Sequence, residues 1–184
     1  MSRTLLSLIS LAVLVLVRAA FGQSVTLAEL QGAVIHNRVI YQQEGLRGDG
    51  QRFSSQMTFD NTVTINSESS LTNATTITIG DRVTDSFSGT FAVGKPREVS
   101  RSGGGHAIFV FEGGKLTLLS TFRAGGFKRA ITFTRGAGGL RCSVSAPFAR
   151  ESGAPTFNWT TRSGFDVRTA NIKSISSSCQ VSQH

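Results

Sequence analysis

Apolar and polar residues alternate with a period of two along most of the chain after residue 33, and this pattern predicts β-strands. Between residues 111 and 144, three glycine pairs interrupt the alternation: Gly113-Gly114, Gly125-Gly126 and Gly138-Gly139. The pairs recur at intervals of 12 and 13 residues, which fits strands of about ten residues joined by tight turns. The stretch therefore predicts three consecutive hairpin turns.

The same criteria predict ten strands with short connections. They span residues 33–43, 51–66, 71–79, 82–93, 106–112, 115–123, 127–135, 139–148, 154–161 and 165–175. A T-x-x-E capping box at Thr26, followed by Gly32, predicts a helix of one or two turns before the first strand. The polar stretch 94–105 is predicted to be a mobile loop. No helix is predicted that could connect parallel strands, so the expected arrangement is an antiparallel meander.

Each predicted strand has one apolar and one polar face. Leu116 and Leu118 share a side of their strand, and Thr117 lies on the other. A sheet of this size must bury its apolar face, either by closing into a β-barrel or by folding into a β-sandwich. The meander order and the long strands favour a barrel of about 8 to 10 strands, and the sandwich is the alternative.

The N-terminal residues have the pattern of a secretory signal peptide. Arg3 precedes an apolar run from Leu5 to Val17, and Ala20-Phe21-Gly22 places small residues where a signal peptidase requires them. We therefore expect residues 1–22 to be removed and residues 23–184 to form one domain in the periplasm or outside the cell. A membrane anchor is the alternative, but the run is shorter than the roughly 20 residues that span a bilayer.

The chain has two cysteines, Cys142 and Cys179. In an oxidising compartment we expect them to form a disulfide that joins a late strand to the C-terminal segment. Redox activity by two free thiols is the alternative, and it lacks the C-x-x-C spacing.

The composition of the expected mature protein is mildly basic. The signal peptide holds two of the 19 Lys and Arg residues and none of the 11 Asp and Glu residues, which leaves a formal charge of +6. The basic residues are scattered along the chain, as on an ordinary solvated surface, and they favour anionic partners. No nucleic-acid recognition motif is present, and we expect no nucleic-acid partner.

Motifs for the common catalytic and metal sites are absent from the sequence. Gly114-Lys115 is not followed by Ser or Thr as in a phosphate-binding loop, and no G-x-S-x-G is found. The histidines His36, His106 and His184 lie far apart and do not form a zinc motif. We expect no enzymatic activity, no cofactor and no metal. An unfamiliar enzyme using His106, Glu112 or Glu151 is the alternative.

Two charged residues fall on otherwise apolar strand faces. Asp85 alternates with Val83 and Phe87, and Arg129 with Phe127 and Ile131. Because a buried charge is costly unless it is paired, these two are predicted to pair with each other or to bind the polar end of a ligand. Alternatively, both lie near strand ends, where Arg129 reaches water and Asp85 belongs to a turn. Tyr41, Asn37 and Trp159 complete the predicted ligand site or simply fill the core.

Several segments of the chain resemble segments of known proteins. The segments "LQGAVI" (30–35), "GDGQRFSSQMTF" (48–59), "ITIGDRV" (77–83), "LRCSVSAPFARESG" (140–153) and "IKSISSSCQV" (172–181) resemble an uncharacterised family of small exported proteins from soil-dwelling alphaproteobacteria. That resemblance implies a periplasmic location and paired cysteines, and it implies no catalytic residue. In architecture the chain also resembles the lipocalin and calycin group, although Gly32-Ala33-Val34 lacks that group's G-x-W tryptophan.

The sequence thus supports two functional hypotheses. In the first, an exported protein of the cell envelope binds a small apolar or amphipathic ligand inside a β-barrel. In the second, an envelope protein docks onto an anionic surface or partner through exposed basic residues: Lys128, Arg141, Arg97 and Arg101.

Overall fold

The computed structural model describes residues 24–47, 49–98, 105–122, 125–145 and 167–183, without the side chains of residues 47, 84–85, 121–127 and 167–174. The predicted signal peptide and the predicted strand 154–161 lie outside these residues. Ten strands are found: β1 (Val34–Arg47), β2 (Arg52–Ser67), β3 (Ser70–Ile79), β4 (Arg82–Ala92), β5 (Arg97–Glu98), β6 (His106–Glu112), β7 (Lys115–Phe122), β8 (Gly125–Gly136), β9 (Gly139–Ser145) and β10 (Val167–Ser182). The all-β prediction is confirmed.

The strands form two five-stranded sheets. The first sheet has the order β10-β1-β2-β3-β4, and the second has the order β5-β6-β7-β8-β9. All the ladders are antiparallel, as predicted. Among the described strands neither sheet closes on itself into a barrel, and a sandwich-like arrangement is equally consistent with these two sheets.

The two sheets are linked at both of their neighbouring edges. At one edge β9 and β10 lie side by side, and the predicted disulfide between Cys142 and Cys179 joins them with a Cα–Cα distance of 5.6 Å. Nearby, the Ser177 hydroxyl donates to the Val144 carbonyl at 3.2 Å. At the other edge, the Gly94 amide donates to the Phe109 carbonyl at 2.7 Å.

The core lies between the inward faces of the sheets, as the alternation predicted. Leu116 and Leu118 on β7 and Ile131 and Phe133 on β8 are buried, and they pack with apolar residues from β1 to β4. Lys128, Thr134 and Arg141 on the alternate positions are exposed. The apolar and polar faces of the second sheet were therefore predicted correctly.

Three local predictions were wrong for identifiable reasons. A β-bulge between Ile77 and Thr78 shifts the register of β4, so Val83 is 61% exposed instead of facing the core. The pair Gly125-Gly126 begins β8 and pairs with Phe122 and Thr121, so it does not form the turn. The predicted loop 94–105 contains the short strand β5, which pairs with the start of β6.

The predicted N-terminal helix is a single 3-10 turn, Ala28–Leu30. The capping box itself is formed, because the Thr26 amide donates to the Glu29 carboxylate at 2.8 Å. The helix does not continue because the chain turns at Gly32, whose φ is +80° and whose amide donates to the Ile65 carbonyl. Pairing with the end of β2 thus replaces further helical hydrogen bonds.

Candidate functional site

A row of polar side chains crosses the inward face of the first sheet. In the strand register, Asn37 on β1 faces Asn61 on β2, and Asn61 faces Thr75 on β3. Asn73 lies two residues before Thr75 and shares its face. All four side chains are buried, because the alternation that directs Val39, Val63 and Leu71 inward also directs these residues inward. We call Asn37, Asn61, Asn73 and Thr75 the interior polar row.

Hydrogen bonds run through the interior polar row from β1 through β2 to β3. The Asn37 Nδ2 group donates to Asn61 Oδ1 at 3.1 Å. The Asn61 Nδ2 group donates to Asn73 Oδ1 at 2.8 Å and also to Thr75 Oγ1. The Asn73 Nδ2 group donates to Thr75 Oγ1 at 3.2 Å. Each amide nitrogen therefore donates, and the Asn37 and Asn61 nitrogens both donate toward β3.

The first acceptor of this row, Asn37 Oδ1, has no hydrogen-bond partner among the described residues. Asn37 is 4% exposed, and within the described part of the chain its Oδ1 atom accepts no hydrogen bond. A buried amide oxygen without a donor is uncommon and costs free energy, so it calls for an explanation.

Arg129 reaches the same row from the second sheet. It lies on β8 opposite Leu118 and is 4% exposed, so it does not reach water as the alternative interpretation proposed. Its Nη2 atom donates to Asn73 Oδ1 at 3.5 Å. Among the described residues no carboxylate forms a salt bridge with it, although a guanidinium has five N–H donors.

Burial changes the electrostatics of Arg129 and its neighbour Tyr41. Removal from water lowers the pKa of Arg129 to about 10, and interaction with the Tyr41 hydroxyl raises it slightly against that effect. The guanidinium therefore remains charged at neutral pH. Burial also raises the pKa of Tyr41 to about 12, while the positive charge of Arg129 acts in the opposite direction. Tyr41 is consequently a neutral phenol beside a buried cation, and its ring packs edge-on against Phe59.

The interior has a more exposed end and a covered end. In the register of β3 and β4, Phe87 faces Thr75, which places Phe87 on the inward face. Phe87 is nevertheless 38% exposed. Phe91, four residues further along the same face, is buried beneath the Arg97 guanidinium, which lies 5.1 Å from its ring centre. The gap between the sheets is thus more open to solvent beside Phe87.

Three of the five predicted site residues come together in this interior: Arg129, Tyr41 and Asn37. The backbone of Asp85 pairs with Ile77 on β3, but its side chain lies outside the described residues, as does all of Trp159. The predicted pairing of Asp85 with Arg129 therefore stays a prediction. Sequence reasoning missed Asn61, Asn73 and Thr75. The signal was present, since all three alternate with apolar residues in β2 and β3.

The two described residues of the alternative enzyme hypothesis, His106 and Glu112, do not lie together. His106 and Glu112 lie at opposite ends of β6, about 20 Å apart at the usual rise per residue. Glu151 lies outside the described residues. No group of three or more His, Cys, Asp or Glu side chains in the described ranges could hold a metal ion.

The described residues form a cleft between the edge strands of the two sheets and another on the first sheet. One, of about 500 Å³, runs along the disulfide edge and is lined by residues including Leu140, Arg141, Gln180 and Ser182. The other, of about 270 Å³, lies over the ion pair between Arg38 and Asp60. Both clefts include His36, whose Nδ1 lies 3.1 Å from the Thr62 hydroxyl.

No protein-family model, curated protein or solved structure matches the chain. Over the residues that the structure describes, no helix is both long and apolar enough to cross a membrane.

Proposed function

We propose that this protein is an exported, non-enzymatic protein of the cell envelope that binds a small amphipathic ligand between its two sheets. The polar end of the ligand contacts Arg129 and the interior polar row, and its apolar part lies against the core side chains. The observation that carries the proposal is the burial of Arg129 without a carboxylate partner among the described residues.

The energetics of a buried cation support a binding role. Burying an unpaired guanidinium destabilises the folded protein, whereas an apolar residue of similar size would avoid that cost. Apolar walls with a few convergent polar groups are typical of small-molecule sites. Arg129, Tyr41 and Asn37 provide such groups in the apolar interior.

The position of Phe87 supports a route of entry. Phe87 belongs to the inward face but is partly exposed, so a ligand entering beside it passes directly to Thr75 and Asn73. A single inward-facing phenylalanine at this position would contact the apolar chain of the ligand.

Titration calorimetry with decanoate and decan-1-ol tests the proposal. We expect one saturable site per chain for at least one of these ligands. Phe87→Ala should weaken binding by about 10-fold, because the change removes apolar contact area of the kind that contributes 1 to 2 kcal/mol. The control is Val83→Ala on the same strand, whose exposed side chain points away from the interior. If neither ligand bound the wild-type protein, the proposal would be wrong.

Closure of the two sheets into a β-barrel and export of the protein by a signal peptide are further parts of this proposal. Strands β9 and β10 lie side by side at the disulfide edge, and the Ser177 hydroxyl donates across it to the Val144 carbonyl, which supports closure of the sheets at this edge. The disulfide also favours an oxidising compartment. Protein recovered from the periplasm should begin at Gln23, and N-terminal sequencing would test this.

A second candidate function is docking onto an anionic membrane surface through the outer face of the second sheet. Lys128 lies opposite Leu119, which is 39% exposed, and Lys115 lies on the same face of β7. An exposed leucine beside lysines suits an interface with anionic lipid. Arg141 and Arg97, also predicted contacts, are exposed, and Arg101 lies outside the described residues.

Sedimentation with lipid vesicles distinguishes this second function. We expect binding to vesicles that contain phosphatidylglycerol and not to pure phosphatidylcholine. The double substitution Lys128→Gln, Leu119→Ser should abolish it, whereas Arg38→Gln on the first sheet should not. Raising NaCl from about 0.1 M to about 1 M shortens the Debye length from about 10 Å to about 3 Å, so binding that persisted unchanged at high salt would rule out electrostatic docking.

A further inference from the structure

Resting on the proposed function, we propose that the ligand is a carboxylic acid that carries a separate hydroxyl group at a distance from its carboxylate. The carboxylate binds Arg129, and the hydroxyl donates to the Oδ1 atom of Asn37. Two observations on the described residues carry this inference: the Asn37 oxygen is buried and accepts no hydrogen bond, and the buried Arg129 guanidinium forms no salt bridge there.

The end at Arg129 requires an acceptor. One N–H of the guanidinium is used in the 3.5 Å contact with Asn73 Oδ1, and Asn73 Oδ1 already accepts a shorter hydrogen bond from Asn61. Arg129 is buried, it interacts electrostatically with the neutral Tyr41, and among the described residues no carboxylate forms a salt bridge with it. A carboxylate matches the planar fork of a guanidinium with two parallel hydrogen bonds, and it also compensates the buried positive charge.

The end at Asn37 requires a donor. The direction of the hydrogen bonds uses every amide nitrogen of the row, from Asn37 to Asn61 and from Asn61 to Asn73. What is left over is the Asn37 oxygen, which is buried and accepts no hydrogen bond among the described residues. A carboxylate has no hydrogen to give at neutral pH, so a second group on the ligand must donate here. A hydroxyl is the simplest such group in an apolar setting.

The positions of the two ends determine how far apart the ligand's groups lie. Asn37 and Asn73 belong to β1 and β3, with β2 between them. Two strand spacings amount to about 10 Å, and Arg129 contacts Asn73. A hydroxyl on the carbon next to the carboxylate cannot span this separation, whereas a hydroxyl near the far end of a ten-carbon chain can.

Four ten-carbon probes test the inference by titration calorimetry: 10-hydroxydecanoate, 2-hydroxydecanoate, decanoate and decan-1-ol. We expect decanoate to bind about 10-fold to 100-fold more tightly than decan-1-ol, as for a hydrogen bond to a charged group. We expect 10-hydroxydecanoate to bind a further 3-fold to 10-fold more tightly than decanoate, and 2-hydroxydecanoate to gain nothing.

Substitutions assign each preference to its residue. Arg129→Met should remove the preference for decanoate over decan-1-ol, and Asn37→Leu should remove the preference for 10-hydroxydecanoate over decanoate. Arg141→Met, on the exposed face of β9, is the matched control and should change neither ratio. Arg129→Lys keeps the positive charge and should retain part of the preference for decanoate over decan-1-ol. This variant tests the role of Arg129 if Arg129→Met does not fold.

The outcomes separate this inference from the proposed function. If all four probes bound with equal affinity, the binding function would stand and the inference would be wrong. If 2-hydroxydecanoate gained as much as 10-hydroxydecanoate, or if Arg141→Met removed the carboxylate preference, the assignment to Arg129 and Asn37 would be overturned. If none of the probes bound, the proposed function itself would fail.

Discussion

The guanidinium of Arg129 is removed from water, while its contacts within the described residues amount to one long hydrogen bond. Burial lowers the pKa of Arg129 from its ordinary value to about 10. A shift of this size corresponds to about 3 kcal/mol of preference against the charged form. Because the folded-state pKa of this base is lowered, the cost is fully present below about pH 10 and decreases as the pH rises above that value.

Arg129→Met should therefore stabilise the ligand-free protein. At pH 7 we expect the free energy of unfolding to rise by about 1 to 3 kcal/mol, since the substitution removes the desolvation cost and, among the described residues, loses one weak hydrogen bond. Urea unfolding measures this change, and Arg141→Met provides the control at an exposed position. A loss of stability on Arg129→Met would mean that Arg129 supports the fold instead of a ligand.

Tyr41 is the only tyrosine in the chain, so its ionisation can be followed directly by the ultraviolet absorbance of the phenolate. Burial raises its pKa to about 12, and the charge of Arg129 partly counteracts this rise. Because the folded-state pKa lies above the unfolded value, the stability that Tyr41 contributes is present below about pH 10 and is lost between about pH 10 and 12. We expect a titration midpoint near pH 12, and a still higher one in Arg129→Met. A midpoint at the ordinary value of about 10 would show that Tyr41 is solvated.

At the level of single elements, the β6–β7 hairpin depends on its glycines. Gly114 has a φ of +73°, and a Cβ added there would lie 3.5 Å from the Phe133 carbonyl oxygen. Gly138, in the β8–β9 turn, is not among the glycines with positive φ. We expect Gly114→Ala to lower the free energy of unfolding by about 1 to 2 kcal/mol, and Gly138→Ala to change it by less than about 0.5 kcal/mol. Equal effects at the two positions would contradict this account of the turn.

The strands themselves could be predicted from the sequence, because alternation of Leu116, Thr117 and Leu118 depends only on neighbouring residues. The bulge opposite Thr78, which exposes Val83, could not, since it arises from the pairing of β3 with β4. The division into two sheets is likewise decided by contacts between residues distant in sequence. Arg129 and Asn37 were predicted from single strands, whereas their connection through Asn61 and Asn73 depends on the register of three strands.

For the whole molecule, the disulfide is the covalent cross-link that joins side chains of the two sheets. It joins β9 to β10 at the edge where no backbone ladder connects them among the described residues. The bond closes a loop with a sequence separation of 37, for which the chain-entropy model gives about 4 kcal/mol of stabilisation. The double substitution Cys142→Ser, Cys179→Ser should therefore lower the free energy of unfolding by about 2 to 4 kcal/mol.

The loss of the disulfide should also be uneven across the structure. Strands β2 and β3 lie inside the first sheet with hydrogen-bonded neighbours on both sides, while β9 has one such neighbour, β8. Without the disulfide, the edge between β9 and β10 separates more readily than the interior of either sheet. Amide hydrogen exchange should accelerate in residues 139–145 more than in residues 70–79, after correction for the change in global stability. Uniform acceleration would instead indicate that the two sheets unfold as one cooperative unit and that the disulfide acts only on the unfolded chain.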